Sequence, residues 1–427
     1  MASSSASSTL LGTDRRVLAL AFARMADALG NSFLIIVLPL YIASGTVAGD
    51  VLGLEESMVT GIVLALFGIA SSLTQPFAGR LSDWAGYRKL FVLAGLLVFS
   101  VANLSFVWAD EYWMLFVIRI VQGGAAAFTI TASIALVNEV SEMRSRGGNM
   151  GVYNAFRLVG FGAGPIAASL MIEAGPFDLP GVGPVTGFDA AFLIAAGAAL
   201  VSSALVAALV EDPDETAPTE RSLGIRVWSE QPGRLLDPIF ALGIATLVMA
   251  ACFAFLSAIE PEVNARLDQG PVLFSVEFVA LIAVLAVAQP LVGRASDKVG
   301  RRRFILAGLV GLVPTTLLQG VVGEPWQMIG VRALQGVAGA MVFAPALALA
   351  GDYATKGQSG AQLSVLTVAF GLGIAAGQLL AGFLVSLGFV VPFAVGAGLA
   401  VMGTAVVATQ VEDRFAGAGP SPAQSHA

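Results

Sequence analysis

Apolar stretches of about 20 residues recur along almost the whole chain, with short polar segments between them. A helix of that length crosses the roughly 30 Å hydrocarbon core of a bilayer, and helices satisfy their own backbone hydrogen bonds in lipid. The sequence therefore predicts an all-α integral membrane protein with twelve transmembrane helices. We place these spans at residues 17–42, 56–77, 89–108, 112–138, 148–172, 188–210, 238–259, 271–292, 303–322, 325–350, 361–386 and 388–410.

Composition leads to the same class and excludes several others. The 427-residue chain is 57% hydrophobic and 12% charged, with a mean hydropathy of +0.84, whereas soluble domains are about 25% charged. The only cysteine, Cys252, and the only histidine, His426, exclude a disulfide or cysteine metal site within one chain and a histidine proton relay. No nucleophile–base pair, metal cluster or phosphate loop is visible, so we expect neither an enzyme nor a bound cofactor or metal. The net charge of −7 excludes a nucleic acid partner.

Basic residues set the orientation of the spans. Lysine and arginine cluster in alternate loops, and only Arg266 lies on the other side, so the positive-inside rule places both termini and the central linker in the cytoplasm. The predicted domains are a cytoplasmic leader at 1–16, a six-helix bundle at 17–210, a linker at 211–237, a second six-helix bundle at 238–410 and a disordered tail at 411–427.

One polar segment occurs twice. Residues 75–89 lie between spans two and three, and their copy at 289–303 lies 214 residues further on, about half the chain length. The first copy carries Gly79, Asp83, Gly86 and Arg88, and the second carries Gly293, Asp297, Gly300 and Arg302. Glycines permit a tight turn, and a carboxylate at a helix end can pair with an arginine or a helix N-terminus. The repeat predicts an internal duplication and therefore two homologous halves.

These two segments resemble the signature loops of the major facilitator superfamily. The resemblance implies two pseudo-symmetric six-helix bundles around a central cavity, which rocking of the halves exposes alternately. It also implies that Asp83 and Asp297 are gating residues, and that Asp83 stabilises one conformation by contacting the opposite half. The first copy departs from the family at Trp84 and Tyr87, where a basic residue is common. The alternative is a basic loop that only fixes orientation.

Span four contains an arginine followed by a glutamine and glycines, Arg119 to Gly124, and span ten repeats the pattern at Arg332. An arginine within the membrane is costly unless it faces protein, water or a partner. Arg119 resembles the arginine of span four that the family associates with proton coupling. The alternative is a structural arginine held by backbone carbonyls, which suits Arg332 better.

Span five carries Gly151, Gly160, Gly164 and Pro165, a pattern close to the motif of the family's drug and proton antiporters. Gly160 and Gly164 share a helix face, and Pro165 lacks an amide donor and would bend the span. The pattern departs from the family at Ala168 and Ser169. It favours export, and the alternative is ordinary glycine packing with an incidental proline.

Polar residues inside the predicted spans supply the remaining site candidates. Asp27 is the leading proton-coupling carboxylate and Glu277 the second, with Arg119 as a possible countercharge. Two alternatives stay open: a shallow pair of Asp27 with Arg24, and an interfacial position for Glu277. The candidates for the substrate cavity are Asn31, Asn154 and Arg157.

The sequence thus predicts a monomeric secondary transporter in the plasma membrane, embedded in the lipid bilayer. Its expected activity is proton-coupled efflux of a small hydrophobic or amphipathic compound, because no nucleotide-binding motif is present and a membrane carboxylate can carry a proton. Uptake of an organic acid or sugar is the first alternative, and a sensor that does not transport is a remote one.

Overall fold

A computed structural model describes residues 9–10, 13–49, 51, 53–141, 146–179, 183–212, 226–229, 233–353 and 359–413. Most of these residues lie in helices. In chain order the described α-helices are α1 Arg15–Ala43, α2 Glu56–Ala85, α3 Arg88–Ser105, α4 Tyr112–Val140, α5 Arg146–Ala174, α6 Gly187–Leu209, α7 Pro238–Ala254, α8 Glu260–Leu267, α9 Pro271–Val299, α10 Arg301–Gln319, α11 Pro325–Tyr353, α12 Ser359–Leu384 and α13 Val391–Gln410.

Within the described ranges, 11 helices are long and apolar enough to cross a membrane. The chain is therefore a multi-pass membrane protein, as its hydropathy predicts. The long helix outside that group is α10, because its 19 residues begin with three arginines and leave no apolar stretch of full length. It nevertheless occupies the place of the predicted span 303–322, so the count of twelve spans stays a prediction.

The two halves of the chain repeat the same helix packing. Helix α4 packs against α2 and α3 as α11 packs against α9 and α10, and α1 packs against α5 and α6 as α7 packs against α12 and α13. Across the halves, α2 packs against α12 and α5 packs against α9. In this repeat α2 corresponds to α9 and α5 corresponds to α12. Exchanging the two halves therefore turns the α2–α12 contact into the α9–α5 contact, as expected of a pseudo-twofold axis.

Helices α2 and α9 extend well beyond their predicted ends at residues 77 and 292. Most of the repeated polar segment is therefore helical, and the prediction of a loop over residues 75–89 is wrong except at residues 86 and 87. Hydropathy marks where the apolar residues stop, whereas the helices end at glycines that adopt a positive φ, 72° at Gly86 and 117° at Gly300. We call the end of the molecule with Gly86 and Gly300 the loop end, and the opposite end the far end.

Several short elements escaped prediction. Two hairpins pair Thr9–Leu10 with Thr13–Asp14 and Phe177–Leu179 with Gly183–Val185, and the short helix α8 lies between α7 and α9. The proposed disordered tail, apart from 411–413, and His426 lie outside the described residues, as do 1–8, 11–12 and most of the linker.

Close contacts between the halves lie toward the far end. A Cβ at Gly61 of α2 would come within 2.7 Å of the Gln378 carbonyl oxygen of α12, and one at Gly68 would come within 3.0 Å of the Gly371 carbonyl oxygen. On the other side of the molecule, the Ser275 hydroxyl of α9 donates to the Pro165 carbonyl oxygen of α5 at 2.9 Å. Glycine and a buried hydroxyl thus allow the backbones of the two halves to meet.

Candidate functional site

Helices α1 and α5 place four polar side chains together, which we call the α1–α5 cluster: Arg24, Asp27, Tyr153 and Arg157. Arg24 and Asp27 form an ion pair one turn apart. Tyr153 lies within electrostatic range of Arg24, Asp27 and Arg157, and its hydroxyl is 2.5 Å from that of Ser133. The cluster contains two guanidinium groups and one carboxylate.

Two glycines of α5 make this approach possible. A Cβ at Gly160 would lie within 2.9 Å of the Met25 carbonyl carbon, and one at Gly164 within 2.7 Å of the Leu29 carbonyl oxygen. These two residues of the predicted span-five motif therefore pack α5 against α1 inside one half. Gly151 does not take part, because a Cβ at that position would meet no atom within 4 Å.

Asp27 has features of both positions that the sequence allowed, the deep one and the shallow one paired with Arg24. It pairs with Arg24, as in the shallow alternative, yet it is 3% exposed. It also lies twelve residues after the start of α1, which is about 18 Å along the helix axis. The structure places Arg24, and not Arg119, beside Asp27 as its countercharge.

The cavity candidates lie on surfaces that face the other half. On α1, Ile35 packs against the core of the second half, and Asn31 lies one helical turn before it. On α5, Leu158 and Phe161 pack against the same core, one turn after Asn154 and Arg157 respectively. Among the described residues, the Arg157 guanidinium has neither a hydrogen bond nor an ion pair. It is the cationic group of the cluster that is available to a ligand.

Arg119 forms its contacts with α2 and with its own helix α4, and not with the α1–α5 cluster. It is 2% exposed and donates to the carbonyl oxygens of Val63 and Leu64 at 3.1 and 3.3 Å and to the Gln122 side chain at 3.0 Å. Its guanidinium also stacks over Phe67, 4.6 Å from the ring centroid. This is the arrangement that the structural alternative describes, and no carboxylate contacts the Arg119 guanidinium among the described residues.

Glu277 is buried in the second half, away from the α1–α5 cluster. It is 0% exposed, and neither of its carboxylate oxygens has a hydrogen-bond partner among the described residues. Arg332 and a second buried carboxylate, Glu260, lie within electrostatic range. Sequence reasoning missed Glu260, because the predicted span seven ended at residue 259 and left it in a loop.

At the loop end, arginine and acids form ion pairs inside each half. Arg88 contacts Asp83 at 2.9 Å and Glu139 at 2.6 Å, and Arg301 contacts Asp297 at 2.9 Å and also pairs with Asp352. The expected contact of Asp83 with the opposite half is not present among the described residues. The gating acids instead join the helices of their own half.

The arginine equivalent to Arg88 is Arg301, which corrects our choice of Arg302. Two residues separate α2 from α3, whereas Gly300 alone separates α9 from α10, so the register shifts by one. The Arg302 amide instead donates to Asp413 at 2.7 Å, as the Lys89 amide donates to Asp212 at 2.8 Å. Two carboxylates thus cap α3 and α10, and no motif in the sequence pointed to them.

A family model described as the Major Facilitator Superfamily matches residues 20–276 and 242–425. The chain belongs to the major facilitator superfamily. It is therefore a membrane transporter of small molecules and not an enzyme. Within the described ranges no group of three or more His, Cys, Asp or Glu could hold a metal ion.

Curated relatives of the chain are drug resistance proteins by name. Multidrug resistance protein MdtG of Citrobacter koseri is 24% identical over 307 residues, 70% of this chain and 71% of its own length. Multidrug resistance protein 2 of Bacillus subtilis is 35% identical over 115 residues, 27% of this chain and 28% of its own length. Quinolone resistance protein NorA of Staphylococcus aureus is 30% identical over 145 residues, 34% of this chain and 35% of its own length. The last two matches thus span about a third of each relative.

Solved structures of superfamily transporters share the fold. A bacterial homologue of the human lysosomal transporter Spinster, in an inward-facing and occupied conformation, aligns with a TM-score of 0.76 at 13% identity and covers 94% of this chain and 98% of that one. The human organic anion transporter MFSD10 aligns with a TM-score of 0.67 at 18% identity and covers 92% and 99%. At these identities the likeness establishes the superfamily fold alone.

Proposed function

We propose that this chain is a secondary transporter that exports a small hydrophobic or amphipathic compound across the plasma membrane in exchange for protons. It works by alternating access as a monomer of twelve spans, with both termini in the cytoplasm. The observation that carries the proposal is the α1–α5 cluster, in which a buried carboxylate and an arginine with no ion pair among the described residues lie beside the surface between the halves.

The cluster supplies both functions that an exchanger needs. Asp27 is buried next to Arg24, and a carboxylate in such a place changes its proton affinity when water reaches it or when its arginine moves. Arg157 attracts an anionic group of the substrate, because its guanidinium has no ion pair among the described residues. Binding of the proton and binding of the substrate would then be linked through the charge of a single cluster.

Aromatic side chains near the cluster suit an apolar substrate. Phe22 on α1 meets Phe156 on α5 with ring centroids 4.8 Å apart, and Phe161 of α5 meets Phe278 of α9 across the halves at 5.6 Å. Such rings offer a large apolar surface beside a few polar groups, which is the usual make-up of small-molecule sites. The names of the multidrug and quinolone resistance relatives support the same substrate class.

The far-end contacts support export from the cytoplasmic side. If the basic loop end is cytoplasmic, the close backbone approaches of α2 and α12 close the outer side of the molecule. The space between the halves then faces the cytoplasm, from which an exporter loads its substrate.

Transport into proteoliposomes tests the proposal. A quinolone carries a carboxylate that can meet Arg157, whereas ethidium is a cation without one. With a pH gradient imposed, we expect both to accumulate in vesicles with the wild-type protein, and Arg157→Gln to lose the quinolone while it keeps ethidium. Matched vesicles given citrate or a sugar test the uptake alternative. Accumulation of those compounds, with neither drug transported, would overturn the proposal of export.

A further inference from the structure

All five tryptophans of the chain lie on the molecular surface near one of its two ends. Trp108, Trp113 and Trp326 lie at the far end, and Trp84 and Trp228 lie at the loop end. Each of them is at least 57% exposed. Tryptophan is enriched where a membrane protein passes from lipid to water, because its ring is apolar and its N–H is polar. The five side chains thus mark two levels, one at each end of the spans.

Trp228 differs from the other four because it belongs to the linker. It pairs with Leu236 in an antiparallel bridge, which brings it back beside the start of α7 at Pro238. The Gln410 side chain at the end of α13 accepts hydrogen bonds from the amides of Leu235 and Leu236 at 2.9 and 3.0 Å. The linker is therefore fixed to the second half next to Trp228. We call the paired segments around Trp228 and Leu236 the linker bridge.

The linker bridge lies at the level where three helices of the second half begin or end. Arg234 of the bridge forms an ion pair with Glu412, which follows the last residue of α13 closely. One residue further on, Asp413 accepts from the Arg302 amide in the first turn of α10 at 2.7 Å. The end of α13 and the starts of α7 and α10 thus surround the bridge, and these are the places where the apolar spans stop.

The first half shows the same level at Trp84. Helix α2 exposes a stripe of large apolar side chains, Leu73, Phe77 and Trp84, whose spacings of four and seven residues put them on one helix face. The close contacts of α2 with α12 and α4 are made at other positions, such as Gly68 and Ser71. The stripe therefore faces lipid, and Trp84 lies at its loop end, where lipid gives way to water.

We propose that the linker bridge docks on the phospholipid leaflet at the loop end, with the ring of Trp228 among the headgroups. Lipid already surrounds the spans that begin and end beside the bridge, so this contact continues an existing interface. A soluble protein suits the surface less well. A tryptophan ring exposes about 200 Å², whereas each partner in a stable protein interface buries about 800 Å².

Docking gives the linker a role beyond joining the halves. The linker precedes α7 as residues 1–14 precede α1, and residues 1–14 contain no tryptophan. The contact therefore ties the second half to the leaflet at a point that has no counterpart in the first half. When the halves rock, the first half moves relative to a second half whose loop end is anchored.

The fluorescence of a single tryptophan tests the docking. The other four tryptophans lie on the surface, so they can be replaced by phenylalanine to leave Trp228 as the only fluorophore. The protein is reconstituted in vesicles of phosphatidylcholine whose chains carry bromine, a contact quencher, near the headgroup or near the chain end. We expect bromine near the headgroup to quench Trp228 more strongly, and iodide in the water to quench it weakly.

Two variants test the contacts that hold the bridge. Gln410→Ala and Glu412→Gln each remove one contact between the linker and the end of α13. In either variant, quenching of Trp228 by brominated lipid should fall and quenching by iodide should rise. Thr404→Ala is the matched control and should change neither, because the Thr404 hydroxyl lies on α13 but donates to the Ala400 carbonyl of its own helix.

Other outcomes contradict the proposal. Quenching by iodide alone would show that Trp228 faces water, and stronger quenching by bromine at the chain end would place the ring in the hydrocarbon. Unchanged quenching in both contact variants would show that α13 does not hold the bridge against the leaflet. Thermal unfolding confirms that each variant is folded. If the protein with a single tryptophan does not fold, Trp228→Phe in the otherwise intact chain should lower the emission that lipid quenches, and an unchanged value would reject the docking.

Discussion

Ser275 donates its hydroxyl hydrogen to the carbonyl oxygen of Pro165 at 2.9 Å, so the proline of the span-five motif in one half is bonded to the other half. Ser275 is fully buried. The motif therefore acts on two sides of α5, because Gly160 and Gly164 pack against α1 while the Pro165 carbonyl meets α9. The bond is among the contacts that must break when the far end opens.

Ser275→Ala should favour opening at the far end. A buried hydrogen bond contributes about 1 kcal/mol, which corresponds to about a fivefold shift in a conformational equilibrium. Cysteine labelling of cavity positions from outside measures that shift. Ser296→Ala is the matched control, because Ser296 is also buried on α9 but bonds to the Gly293 carbonyl of its own helix. Equal labelling in the two variants would show that the Ser275 hydrogen bond does not hold the far end closed.

Gly164→Leu should separate α1 from α5 and disrupt the α1–α5 cluster. Overpacking of this kind costs about 1–3 kcal/mol, so we expect a lower unfolding temperature and loss of vectorial transport. Gly151→Leu is the control, since a side chain there meets no atom within 4 Å. Normal accumulation ratios in the Gly164 variant would remove the span-five motif from the argument for export.

Asp83→Asn should alter the conformational balance more than Asp297→Asn. The side chain of Asp83 is 12% exposed and that of Asp297 is 55% exposed, and an exposed ion pair contributes about 0–1 kcal/mol at most. Loss of the Asp83 charge loosens α2 from α3, while Arg88 keeps Glu139. Accessibility labelling from both sides measures the balance. Unchanged labelling in both variants would indicate that the repeated segment only fixes the orientation of the helices in the membrane.

Asp27→Asn should abolish accumulation driven by a pH gradient and preserve exchange of bound substrate. The asparagine mimics the protonated carboxyl, so the α1–α5 cluster can no longer release a proton. Counterflow and gradient-driven uptake in the same proteoliposomes separate the two activities. Glu111→Gln serves as the control, because the Glu111 side chain is exposed and, among the described residues, accepts a hydrogen bond only from the Trp113 ring nitrogen. Full accumulation by the Asp27 variant would show that the proton moves elsewhere.

The sequence predicted the helices and their grouping because hydropathy and the internal repeat act over long windows. It could not predict features that depend on a single residue of register. Arg301 takes the place expected for Arg302 because the second loop is one residue shorter. Glu260 escaped attention because it lies one residue past the predicted end of span seven.

The sequence also could not predict which groups the buried arginines contact. Val63 and Glu277 precede Asp83 and Asp297 by the same number of residues, yet Arg119 meets the backbone of Val63 while Arg332 meets the charge of Glu277. Both arginines stand in the same motif, so the pattern alone could not separate the two surroundings. Arg332 also donates to the Phe253 carbonyl oxygen of α7 at 3.2 Å, whereas the carbonyls that Arg119 meets belong to α2.

The caps on α3 and α10 indicate that the two halves can be made as separate polypeptides. Asp212 follows α6 and closes the first half, and Asp413 follows α13 and closes the second. Linker residues bind to the second half, through Arg234 to Glu412 and through Gln410 to the amides of Leu235 and Leu236. Each half thus carries its own closing residue. A gene split between the codons for Asp212 and Arg226 should therefore yield two polypeptides that reassemble, which co-purification of a tagged half would reveal.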